Sequence, residues 1–212
     1  MRNIGATRRT FIELATSGML LPSPSDPVAD LICRYTPAEF RSAVCQSSRF
    51  LYRGEEVMQP SILHPDPDLL VEGTYPHNAK LALEYFSCLE GMLTSRAAPS
   101  TGHIGTPNLE DAAGWGGVVS VWPLGNRLSY VFPLDSRTLF PGDCRDNNVV
   151  EDNDLAAAFA LGHEVLFTSW FDDEVIVLPP GIVSTWVSAF VAVPSSYDAT
   201  LKRSLDKRHY GF

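Results

Sequence analysis

The chain reads as an α+β fold with split antiparallel sheets. Three observations predict it. Helix signals gather early in the chain, short strands rich in β-branched residues dominate later, and strands do not alternate regularly with helices as a doubly wound sheet requires. A length of 212 residues with 45% apolar content is enough for one core. The sequence shows no internal repeat, no dinucleotide-binding glycine fingerprint, no phosphate loop and no Gly-x-Ser-x-Gly elbow. Rossmann-type and kinase-type nucleotide sites, and a serine-hydrolase triad, therefore have no anchor.

Residues 1–30 read as an N-terminal arm or linker, and residues 31–212 as a single domain. Thr7-Arg8-Arg9-Thr10-Phe11-Ile12 has the form of a twin-arginine export signal, although Glu13 interrupts the apolar segment behind it. The other reading is an arm packed on the body. Pro22, Pro24 and Pro27 make a rigid turn ahead of the main fold. Thr36-Pro37-Ala38-Glu39 predicts a helix start with a capping box, running to about Ser47.

Residues 49–54 read as a short strand and the proline-rich stretch 60–67 as a loop. Residues 69–74 read as another strand. Asn78 predicts the cap of a helix to about Leu93, with Leu81, Tyr85, Leu89 and Met92 on one side. Residues 95–117 form an expected long loop that could cover a cleft, with His103 on its surface. Val118–Trp122 and Leu128–Phe132 predict two strands of a hairpin. The acidic stretch 143–154 reads as solvated loop, its spacing failing the EF-hand pattern, and no metal site is expected. Asp154 caps a predicted helix 155–161 stopped by Gly162. Residues 165–170, 175–178 and 185–193 read as strands, and Lys202 to Arg208 as an exposed basic helix end or a docking tail.

The formal charge of −9 disfavours a nucleic-acid partner. No apolar run is long enough for a membrane span. Cys33, Cys45, Cys88 and Cys144 show no Cys-x-x-Cys spacing and read as scattered thiols, which favours a reducing compartment.

The functional signal lies in Ser169 to Gly181. Trp170-Phe171 runs into Asp172-Asp173-Glu174, then Val175 to Leu178, then Pro179-Pro180-Gly181. On an extended chain Asp172 and Glu174 share a face. This stretch resembles the cholera-toxin-like, Arg-Ser-Glu class of mono-ADP-ribosyltransferases, which carry an aromatic turn, Glu/Gln-x-Glu and an aliphatic strand often closed by Pro-Pro-Gly; here Asp172 stands where the family has Glu or Gln. Leu51-Tyr52-Arg53-Gly54 resembles the strand that opens the same family's core. The resemblance implies a two-sheet core with NAD, as substrate, in the cleft between the sheets.

Residue by residue, it implies that Arg53 grips the NAD diphosphate and Gly54 lets the ligand approach the backbone. Glu174 would stabilise the oxocarbenium-like ribose as nicotinamide leaves, and Asp172 would orient an arginine acceptor. Trp170 and Phe171 would shape the loop that meets the acceptor protein. The family's Ser-Thr-Ser is missing; Thr74 and Ser120 are the two hydroxyls that could order Glu174. Glu164 is a second-ranked acid. The implied function is a mono-ADP-ribosyltransferase of the toxin or effector kind, secreted or delivered into a host cytosol. The alternative is a protein that keeps the fold without the chemistry and serves as a binding, structural or assembly module. Arg53 and Glu174 lining one cleft with head groups free of other ion pairs would mark the enzyme; either of them buried in a salt bridge, or a filled cleft, would mark the module.

Overall fold

The structure, a computed structural model, describes residues 8–10, 26–64, 79–139, 144–146, 148–172, 177–178, 182–183 and 188–209. It is mixed α+β, with two antiparallel sheets. Sheet A has the order β1 (Arg8–Thr10), β3 (Ser61–His64), β11 (Phe190–Pro194), β5 (Val118–Pro123), β2 (Tyr52–Gly54). Sheet B has the order β4 (His103–Gly105), β8 (Val165–Trp170), β6 (Arg127–Pro133), β7 (Val149–Glu151). A two-stranded pair, β9 (Val177–Leu178) and β10 (Ile182–Val183), stands apart.

Six helices are described. The first, α1 (Pro27–Tyr35), starts where Asp26 accepts from the backbone N–H groups of Val28 and Ala29 at 3.0 and 3.4 Å, with Pro27 in the first turn. Its buried face is Val28, Ala29 and Ile32. This helix crosses the boundary drawn at residue 30, and β1, with Arg8 and Arg9, pairs with β3 in sheet A. The second helix, α2 (Ala38–Ser47), has the predicted span but not the predicted cap. Thr36 instead closes α1, its N–H bonding Ile32 O, and its buried hydroxyl has no partner.

The remaining helices are α3 (Ala79–Met92), α4 (Leu109–Ala113), α5 (Leu155–Leu161) and α6 (Asp198–His209). Asp154 caps α5 through Ala157 N at 3.0 Å, and Gly162 ends it at φ +79°, both as expected. In α3 the packed residues are Tyr85, Phe86 and Leu89, while Leu81 and Met92 are exposed.

Sheet B separates two apolar clusters. Along β8, Val165 and Phe167 enter the main core and Leu166 enters the second; along β6, Tyr130 and Phe132 do the same against Val131. That is the period of two made visible. The second cluster receives α3, and the main one receives α1, α2 and α5. At its centre Phe40 of α2 meets the rings of Trp122, Phe159 and Phe167 at 6.0, 5.5 and 6.4 Å.

Four expectations are corrected. Val118–Pro123 and Arg127–Pro133 are strands but not a hairpin: β5 pairs with β11 and β2, and β6 with β8 and β7. The corner between them bonds elsewhere. Leu124 N donates to Ala189 O, Gly125 N to Tyr35 O and Asn126 N to Trp170 O, at 2.8, 2.8 and 3.0 Å. The loop expected over 60–67 contains β3, whose Ile62 and Leu63 are fully buried because the strand lies between β1 and β11. The loop expected over 95–117 contains β4 and α4, and the acidic stretch 143–154 contains a 3-10 turn, Cys144–Asp146, and β7.

The sheets meet along one seam. Tyr52 of β2 and Thr106, just beyond β4, exchange backbone bonds of 2.7 and 2.8 Å. At the far end of β8, Ser188 N donates to Ser169 O at 2.6 Å.

Candidate functional site

Arg53 lies on this seam. Its Nε donates to Glu55 Oε1 and its Nη1 to Ile104 O, both at 2.9 Å, and the two side chains are 14% and 15% exposed. One guanidinium thus ties sheet A to β4 of sheet B while its charge is met by a neighbouring acid. A diphosphate needs paired, accessible donors from such a group. Here two of them point inward, and Glu55 would repel an incoming anion.

Gly54 is glycine for an internal reason. A Cβ at this position would lie 2.5 Å from Trp115 C and 2.6 Å from Trp115 Cβ. The turn carrying Trp115 therefore occupies the space that a ligand would use to approach the backbone. Gly117 in the same turn accepts on its carbonyl from Glu55 N, and a Cβ on it would lie 2.8 Å from Glu55 O.

Ser120 is fully buried on β5. It pairs with Tyr52 in register, whereas Arg53 pairs with Val119. Alternation then puts Ser120 and Arg53 on opposite faces of sheet A. The Ser120 hydroxyl donates to Asp198 Oδ1 at 2.8 Å and receives Trp122 Nε1 at 3.4 Å. Tyr52 also bonds Asp198, and burial of this group pushes the Asp198 carboxyl up to about 6 against the pull of the two hydroxyls. Burial, and then the Asp198 charge, raise the Tyr52 phenol well above its usual range. The cluster pins the start of α6 to sheet A.

Trp170, Phe171 and Asp172 stand at the end of β8. Asp172 is exposed. It is ion-paired with Arg127, receives Trp170 Nε1 at 3.2 Å, and its N–H donates to Asn126 Oδ1 at 3.0 Å. The Arg127 hydrogen bond is the main reason its carboxyl lies below the usual range. Arg96 stacks over the Trp170 ring at 4.8 Å, and Phe171 meets Tyr35 edge-on at 6.3 Å. The partners of Asp172 and those of Arg53 do not overlap. Thr74, Asp173 and Glu174 lie outside the described residues.

His103, expected on a loop surface, is buried on β4 between the rings of Phe190 and Phe167 at 4.6 and 5.8 Å. Its Nε2 bonds Ser188 O at 2.9 Å and its Nδ1 has no partner. Burial, reinforced by the Arg53 charge, holds its pKa well below the usual range, so the ring is neutral. Glu164 is buried as well. Its Oε2 accepts from Leu139 N at 2.7 Å, its own N–H donates to Arg137 O at 2.7 Å, and burial pushes its carboxyl up to about 7.

The cysteines are not all scattered thiols. Cys88 of α3 and Cys144 of the 3-10 turn form a disulfide with Cα atoms 6.2 Å apart; Cys33 and Cys45 are free. Pairs 56 residues apart leave no local spacing to read. Among the described residues no group of three His, Cys, Asp or Glu could hold a metal ion, and no helix is long and apolar enough to cross a membrane.

Residues that sequence reading passed over are Glu55, which pairs Arg53, Asp198, which collects Ser120 and Tyr52, and Trp115. The last had a signal, the glycine-flanked Gly114-Trp115-Gly116-Gly117. No known protein family, curated protein or solved structure matches this chain.

Proposed function

We propose that this chain is a two-sheet binding or assembly module that does not use NAD. The observation that carries this reading is the internal commitment of Arg53-Gly54: the guanidinium is held by Glu55 and Ile104 O, and the glycine is covered by the Trp115 turn. Both residues on which the diphosphate grip depended have a sufficient structural reason to be what they are. Separation of Ser120 from the Arg53 face supports the same conclusion.

The second reading, a mono-ADP-ribosyltransferase acting on NAD and an acceptor protein, is favoured by one observation. Asp172 sits exposed at the open end of β8, two residues before Glu174, held by a surface ion pair that costs little to break. In that reading Glu174 stabilises the ribose cation and Asp172 receives the acceptor. NAD hydrolysis decides between them. Wild-type protein and Glu174→Ala should release nicotinamide at the same background rate. Turnover by the wild type that falls about a hundredfold or more in Glu174→Ala would establish the enzyme instead.

A further inference from the structure

The seam between the sheets closes around a neutral histidine. His103, on the edge strand β4 of sheet B, is 3% exposed and stands between Phe167 of its own sheet and Phe190 of sheet A. Its Nε2 lies 2.9 Å from Ser188 O. A carbonyl only accepts, so Nε2 carries the hydrogen and Nδ1 is the bare nitrogen. That nitrogen is buried without a partner, and so is the Ser188 hydroxyl. Ser188 is a non-glycine residue at φ +58°, a strained conformation. Two bonds hold it there, one from His103 Nε2 and one from its own N–H to Ser169 O.

The strands packed on the ring, β8 and β11, carry no Asp, Glu, Lys or Arg, and neither does β4. From β2 comes Arg53, whose Nη1 donates to Ile104 O, one residue along from the ring. Glu55 is spent on Arg53 Nε, and Tyr52 lies with Ser120 on the other face of β2. A second proton on the ring would make Nδ1 a charged donor beside a guanidinium, with no acceptor among the described residues. We propose that His103 is an acid-sensitive latch on the seam: the neutral ring holds β4 against sheet A, and protonation in mild acid parts β4 from Tyr52 and Ser188.

The sign follows from burial. Burial, and then the Arg53 charge, hold the ring's pKa well below the ordinary 6.5, with the Ser188 bond opposing. An opened seam returns the ring to its ordinary value. The latch is therefore complete above about 6.5 and is lost as pH falls below it. Glu164 and Asp198 respond the other way, because burial raises their carboxyls to about 7 and about 6. Acid firms those two sites while it loosens the seam. Opening would also release Arg53 from Ile104 O. The latch goes beyond the binding-module reading and holds whether or not the chain uses NAD.

The test is amide hydrogen exchange on the full chain, corrected for the intrinsic effect of pH. Tyr52 and Thr106, whose backbone bonds bridge the sheets, report the seam, and the amides of α5 are the reference. From about pH 7 to about pH 5, protection of the two seam amides should fall about tenfold or more relative to α5. In His103→Gln, which keeps a donor for Ser188 O and cannot titrate, that ratio should not fall. Ring 15N shifts of the wild type need no variant. They should show the neutral Nε2–H form at about pH 7 and a charged ring only in molecules that have lost seam protection. A seam ratio that stays level in the wild type overturns the latch, as does an equal fall in His103→Gln. A charged ring with the seam still protected overturns it too.

Discussion

Burial raises the Glu164 carboxyl to about 7 from an ordinary 4.5, with Asp111 adding to the rise and the Leu139 N–H opposing it. The folded chain then holds a proton that an unfolded chain releases near 4.5. The stability tied to this proton is complete below about 4.5 and is lost as pH climbs through about 7. Glu164→Gln can still accept from Leu139 N and cannot ionise. It should flatten the decline in urea midpoint between pH 5 and 8, and at pH 8 exceed wild type by about 1–3 kcal/mol. Gly54 gives the opposite kind of prediction. An alanine must displace the Trp115 backbone, and backbone moves less readily than a side-chain tip. Gly54→Ala should lower the free energy of unfolding in urea by about 1–3 kcal/mol and increase the exposure of Trp115 to acrylamide quenching.

Among the elements, the Cys88–Cys144 bond ties α3 to a turn that packs on that helix and buries Cys144 in the second core. Closing 56 residues of chain is worth about 4 kcal/mol in the chain-entropy treatment, and measured values run lower. Reductant should therefore drop the melting temperature, and Cys88→Ser should reproduce the drop and abolish any further response to reductant. Elements also show where sequence reading succeeds. The strand 165–170, the helix 155–161 and the span of α2 were legible because each carries its own punctuation: a glycine stop, a capping aspartate, a proline at the helix start. What was illegible depends on remote partners. Ser61–His64 is a strand because β1 and β11 flank it, and β5 and β6 part company because the corner between them bonds Ala189, Tyr35 and Trp170. Thr36 has the residues of a capping box, yet α1 ends directly before it and takes its N–H.

For the whole molecule, the α+β class and the two-sheet split were correct from the ordering of helix and strand signals alone. The candidate site was legible only as residue types. Arg53 and Ser120 stand one register step apart, yet a two-residue alternation sends them to opposite faces. The ion pair that occupies Arg53 comes from Glu55, two residues along, a spacing too ordinary to announce itself. The main core shares its load between the sheets: Phe40 reaches Trp122 of sheet A and Phe167 of sheet B from a single helix.

The same cross-link encloses more than the turn that it fastens. The covalent ring from Cys88 to Cys144 contains β4, α4, β5 and β6, so it threads through both sheets. A protease that nicks the exposed glycine turn at 114–117 would cut inside this ring. Both pieces should migrate as one band on a non-reducing gel and separate only when thiol is added. A cleaved molecule would keep its halves together for as long as its surroundings stay oxidising.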